Sequence, residues 1–146
     1  MKVRLSLGPG FESVVRDLNR LGQVGIDIAK KRFAEAAPII VSRQKSLAPV
    51  DKEDGGQLRD SVRFTKPRAG GKTFANVTFI VGGDALLPYL EGRKANVYAI
   101  VQETDPTLSH TSGQAGFMTQ PLTEAAPGIF ERIARDIDAE VARASG

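Results

Sequence analysis

Cysteine and tryptophan are both absent from the 146 residues, and histidine occurs once, at His110. Without thiols there is no disulfide framework and no thiolate zinc site, and the chain is compatible with a reducing cytosol. One histidine excludes a multi-histidine metal centre, and the carboxylates show no spacing that recommends a metal site built from them alone, so no cofactor is expected. Aromatic residues make up 6% of the chain and form no run of the kind that stacks on single-stranded nucleic acid. No stretch approaches the roughly 18 consecutive apolar residues that cross a bilayer, so no membrane partner is expected. The first ten residues carry Lys2 and Arg4 but no apolar core behind them, a poor signal peptide. The expectation is a soluble protein made in the cytosol.

What is present fits one folded domain. Hydrophobic residues reach 41%, which argues against wholesale disorder, and the length suffices for a real core. The net charge is +3 with a pI near 9.4. Basic residues outnumber acidic ones between Lys30 and Lys72, while Glu131 to Glu140 is slightly acidic. A basic middle can face phosphate or simply solvent.

The chain is organised around Ser46 to Thr65. Ahead of it apolar residues recur at helical spacing, and after it they alternate. Pro49 excludes Ala48 from the helical region, Asp51 can bond its own following backbone, and Gly55-Gly56 permits positive φ, so a helix ends here. Leu58, Val62 and Phe64 are then the first apolar residues able to pin the returning chain onto that helix. Upstream, Phe11, Val14, Val15, Leu18, Leu21, Ile28, Phe33, Ala37 and Ile40 predict one face of a helix from near Pro9 to Ala36, with Arg16, Arg20, Asp27, Lys30, Lys31 and Glu35 opposite. Gly22 and Gly25 mark either the close approach of another backbone or a bend. Pro38 predicts a kink, with the helix continuing to Leu47.

Downstream, Ser61–Thr65 and Phe74–Val81 predict an antiparallel hairpin with its tip at Pro67–Lys72. A third strand is expected over Val97–Glu103. Thr104–Gly116 reads as a polar loop. Pro121 suits the first turn of a last helix striped by Leu122, Ala126, Ile129, Ile133, Ile137 and Val141, whose regular part is delayed by Pro127-Gly128. Residues 1–47 are thus expected to be helical, 58–103 a sheet, 104–117 a loop and 120–144 a helix, all in one domain. The fold class is α+β: the long N-terminal helix and the C-terminal helix pack on a small, mostly antiparallel sheet.

A catalytic constellation does not emerge. Ser42 and Lys45 match the S-x-x-K spacing of acylating serine enzymes, in which a lysine one turn away takes the serine proton, but the companion K-T-G and S-D-N motifs are missing. His110 sits among hydroxyl residues with no carboxylate placed to orient it. The doublets Gly55-Gly56, Gly70-Gly71 and Gly82-Gly83 are not phosphate loops, and Asn76-Val77-Thr78 is a glycosylation triplet in an expected strand. Pairs such as Asp51 and Asp54, or Glu91 and Glu103, are ordinary at this acid content. Arg59, Arg63, Lys66, Arg68 and Lys72 can neutralise phosphates, so a small non-specific DNA-binding protein is a competing reading.

Three segments in order resemble one pattern. Leu47-Ala48-Pro49-Val50-Asp51 with Gly56-Gln57-Leu58-Arg59-Asp60-Ser61-Val62 resembles the box aPvdtG-x-L-r-x-S-i of the tail-component family of long-tailed bacteriophages, the tail-completion or head-to-tail joining proteins. Tyr98-Ala99-Ile100-Val101-Gln102-Glu103 is similar to that family's YA-x-x-vEfGt strand. Gly116-Phe117-Met118-Thr119-Gln120-Pro121-Leu122-Thr123-Glu124-Ala125 resembles its p-x-pFlrPAl entry into the last helix. Lys52-Glu53-Asp54 lengthens the first box, and Gln102-Glu103-Thr104-Asp105 replaces E-F-G-T, so the sheet edge and following loop are expected to differ. The resemblance implies a non-enzymatic virion protein of the phage neck, in a ring of six or twelve copies between the head connector and the tail tube. Tail terminator or head-closure duty in the same neck is the neighbouring reading. Its partners would be further copies of itself, portal-side proteins and the tail tube, with DNA touching it non-specifically in the channel. Pro49, Asp51, Leu58, Arg59, Tyr98, Glu103, Phe117 and Pro121 are the interface residues the matched boxes suggest.

Overall fold

The computed structural model describes residues 1–7, 16, 20–50, 56–70, 73–82, 93–105, 107 and 112–145, with backbone alone for 73–74 and 93–98. Strand β1, Lys2–Leu7, leads into helix α1, Gln23–Leu47. A single-turn helix α2, Gln57–Asp60, precedes the short strands β2, Arg63–Phe64, and β3, Arg68–Gly70, and the longer β4, Thr73–Ile80. Helix α3, Arg93–Thr104, and helix α4, Thr119–Ser145, complete the order.

Among the described residues, the pairings of the sheet centre on β4 and are antiparallel. β1 lies along one side of it, and β2 and β3 share the other. Val3, Leu5 and Leu7 stand opposite Phe79, Val77 and Ala75, so one sheet face is apolar, and α1 packs on it. The stripe that α1 turns inward is Gly25, Ala29, Phe33, Ala37, Ile40 and Gln44, spaced by three or four residues as one helical face requires. Leu122, Ile129, Ile133 and Ile137 of α4 join the same core, packed on α1 and touching β1. The α+β class is as expected, with N- and C-terminal helices against a small antiparallel sheet.

The reversal at Pro49 is the element read most accurately. Ala48 takes φ −61° and ψ 137°, outside the helical region, and α1 stops at Leu47. Leu58 and Val62 are then buried in the core, and the predicted hairpin forms with Arg63 opposite Ile80 and Phe64 opposite Phe79. The Phe64 and Phe79 rings are 6.4 Å apart and tilted by 44°.

Three expectations need correction. Residues 97–103 are not a strand but most of α3, so the sheet does not extend through 58–103. The first 47 residues are not purely helical, because Lys2–Leu7 is a strand. Pro38 lies on the solvent side of α1, where the freed carbonyl of Ala34 can take water, and the helix continues past it to Leu47 as expected. Pro127, also exposed, does not delay α4, which is helical from Thr119. Gly22 ends the ambiguity over the glycines in part: it has φ 58° at the start of α1, a break, while Gly25 is buried within the helix. The expected helical stretch before it falls largely outside the described residues, though Arg16, Arg20 and Leu21 are helical.

Candidate functional site

The end of α1 lacks intrahelical donors for its last carbonyls, as every helix does. The segment entering α4 supplies partners: Gln114 N–H donates to the Leu47 carbonyl at 2.9 Å, and Val50 N–H donates to Ser112 at 3.2 Å. Gly113 makes this approach possible, with φ 91° and so little room that a Cβ would stand 2.5 Å from the Ala48 carbonyl oxygen. The fully buried Gln44 donates through Nε2 to the Met118 carbonyl at 3.0 Å.

The start of α4 has the opposite need, since its first N–H groups have no intrahelical acceptor. Glu103, buried at the end of α3, provides it: Met118 N–H donates to Oε2 at 2.9 Å, and Thr119 N–H and Oγ1 donate to Oε1 at 3.0 and 2.7 Å. A carboxylate there also complements the positive end of the α4 dipole. The Glu103 carbonyl accepts from Gly116 N–H at 2.8 Å. The ends of α1 and α3 and the start of α4 are therefore fastened at one point, and residues from all three sequence boxes form the clasp.

This placement recasts the eight suggested interface residues. Pro49, Leu58, Glu103, Phe117 and Pro121 are buried in the chain itself, Leu58 and Phe117 completely. Arg59 is exposed, 3.3 Å from Asp60, with its guanidinium lying over Gly56. Tyr98 belongs to α3, but its side chain, like all of Asp51, lies outside the described residues. The buried five bring the boxes together inside one subunit.

Apolar surface reaches solvent on α1, outside the boxes, and on α3 at two positions of the second box. Ile39 is 70% exposed on α1, at the edge of a shallow groove between α1 and α4 floored by Ile40, Ala125 and Ile129, with Glu124 and Arg132 on its rim. The groove continues past Arg43 to Pro121, beside the clasp. On α3 the usual sides are exchanged: Ala99, Gln102 and Glu103 point inward while Ile100 and Val101 stay 47% and 37% exposed. The inward set is spaced i, i+3, i+4, which is the helical signal, but two of its three members are polar. Buried Gln102 Oε1 and Gln44 Oε1 have no hydrogen-bond partner among the described residues.

Of the candidate catalytic groups, Ser42 lies in an open depression with Pro38, Ile39, Arg43 and Ser46, where nothing keeps water from the hydroxyl. His110 lies outside the described residues. Among the described residues no three histidine or acidic side chains gather as a metal site, and no helix is long and apolar enough to cross a membrane.

No curated protein and no solved structure matches the chain. A family model with the description "Bacteriophage HK97-gp10, putative tail-component" matches residues 12–99. The matched span takes in α1, the reversal at Pro49, the first box and strands β2 to β4, whereas Glu103 and α4 lie beyond it. With more than half of its length matched, the chain belongs to the HK97-gp10-like family of bacteriophage tail components.

Proposed function

We propose that this tail component is a non-catalytic building block that assembles into a closed ring of six or twelve copies in the phage neck, joining the head connector to the tail tube. The observation carrying this reading is the inverted α3. A helix that buries Gln102 and Glu103 while leaving Ile100 and Val101 in water has its exposed apolar side free for another chain. Covering those two half-exposed side chains would contribute about 2 kcal/mol to each interface.

Ring closure needs two different patches that fit one another, since an isologous contact stops at a dimer. The α3 side chains provide one patch, and the groove around Ile39 between α1 and α4 provides the second. The clasp ties both to one rigid frame, because α3 ends and α4 begins at Glu103. A frame of this kind holds the angle between patches, and that angle determines the copy number. Electron microscopy of the purified protein, alone and mixed with tail tubes, tests the reading. Rings of one diameter seated at tube ends are expected, and isolated monomers that never bind a tube would contradict it.

A further inference from the structure

The sheet has a second face, turned away from α1. Strand alternation assigns to it every position out of phase with the apolar rows. Lys2 stands opposite Ile80, and so does Arg63 from the other side, which puts their backbones about 9.6 Å apart across β4. Arg4 stands opposite Thr78, and Arg68 opposite Asn76. All four basic side chains are exposed. Ser6 and Thr65 complete the rows, so none of these positions carries a carboxylate.

Four of the basic side chains outside this face are paired with carboxylates. Arg32 pairs with Asp136, Arg59 with Asp60, Arg135 with Glu131 and Arg143 with Glu140. Among the described residues, no carboxylate pairs with Lys2, Arg4, Arg63 or Arg68. Arg63 instead donates through Nη1 to the carbonyl oxygens of Ser61 at 2.7 Å and Gly82 at 3.3 Å, which fixes its guanidinium without neutralising it. The field is felt nearby: burial first, then repulsion from Arg63 and Lys2, holds the Met1 amino group below its ordinary value.

From this array we infer that the outer sheet face docks the phosphate backbone of double-stranded DNA. The face presents four uncompensated cations, about 6.8 Å apart where they alternate along β1. A duplex carries one negative charge for about every 1.7 Å of its axis, so each cation meets a phosphate at almost any register. An acidic protein would have to supply four carboxylates in matched places. Backbone contact of this kind is independent of base sequence. It is also independent of ring formation, because it uses neither α3 nor the α1–α4 groove.

The test is fluorescence anisotropy of a labelled random-sequence duplex titrated with the full-length chain at several salt concentrations. Four phosphate contacts give a slope of log K against log salt of about −3.6, a loss on the order of 10²-fold between about 50 and 200 mM. Arg4→Ala with Arg68→Ala, neither side chain in a hydrogen bond among the described residues, is expected to halve that slope. Lys2→Ala alone is expected to lower it by about 0.9. Arg135→Ala on α4, outside both proposed contact patches, is expected to leave it unchanged. Absence of binding at the lowest salt, an unaltered slope in the sheet variants, an equal fall in Arg135→Ala, or equal competition by polyglutamate would each overturn the assignment.

Discussion

Glu103 accepts three hydrogen bonds from the first residues of α4 while sitting at the last turn of α3. Replacing it by Ala leaves the buried N–H of Met118 and the part-buried N–H of Thr119 without their acceptors, and thermal or urea unfolding is expected to show a loss of roughly 2–4 kcal/mol. Glu103→Gln keeps one acceptor oxygen and should lose less. Gly113 is constrained differently, by φ 91° and by the Ala48 carbonyl against its Cα. Gly113→Ala combines left-handed strain of about 1–2 kcal/mol with a backbone clash, so it is expected to destabilise by more than that strain alone. The same unfolding measurement checks it. Residue chemistry was legible in the sequence where backbone rules govern: Pro49 forced Ala48 out of the helix, as read. It was illegible at Glu103, because the partner of an acid at the end of one helix is a tertiary fact. Ser61 is similar, its buried hydroxyl donating to the Leu58 carbonyl and accepting from Gly82 N–H.

At the scale of elements, α1 and α4 are joined by more than their apolar stripes. Arg32 reaches Asp136 with two hydrogen bonds, Nε to Oδ2 at 2.6 Å and Nη2 to Oδ1 at 2.9 Å, and also touches Glu35. The bond from Arg32 holds the Asp136 carboxyl below the usual carboxylate value, against a smaller opposing effect of burial. A depressed acid stabilises the fold above its unfolded value, about 3.9, and that contribution disappears as pH falls through the folded value. Asp136→Asn is therefore expected to melt below the wild type at neutral pH, with the gap closing below about pH 4. A gap that persists in acid would contradict the assignment. Both long helices were readable because their buried residues keep helical spacing over many turns. β1 was missed although Lys2–Leu7 alternates basic or polar with apolar residues, because six residues at a chain start look like a weak leader. α3 was misread because its β-branched residues Ile100 and Val101 suit a strand and face outward, while Gln102 and Glu103 are buried.

For the whole molecule, the sequence boxes contribute to both the clasp and the proposed contact surfaces. Their buried members fasten the subunit internally, whereas Ile100 and Val101 of the second box face outward and Ile39 lies outside the boxes. The central claim is that these residues hold copies together while Glu103 and its partners only shape the subunit. Light scattering coupled to size exclusion, run over a range of protein concentrations, tests it most directly. The wild type is expected to elute as one closed oligomer, and Ile100→Lys with Val101→Lys as a monomer with unchanged helical circular dichroism. A wild type that remains monomeric at every concentration, or a double variant whose mass does not change, would contradict it.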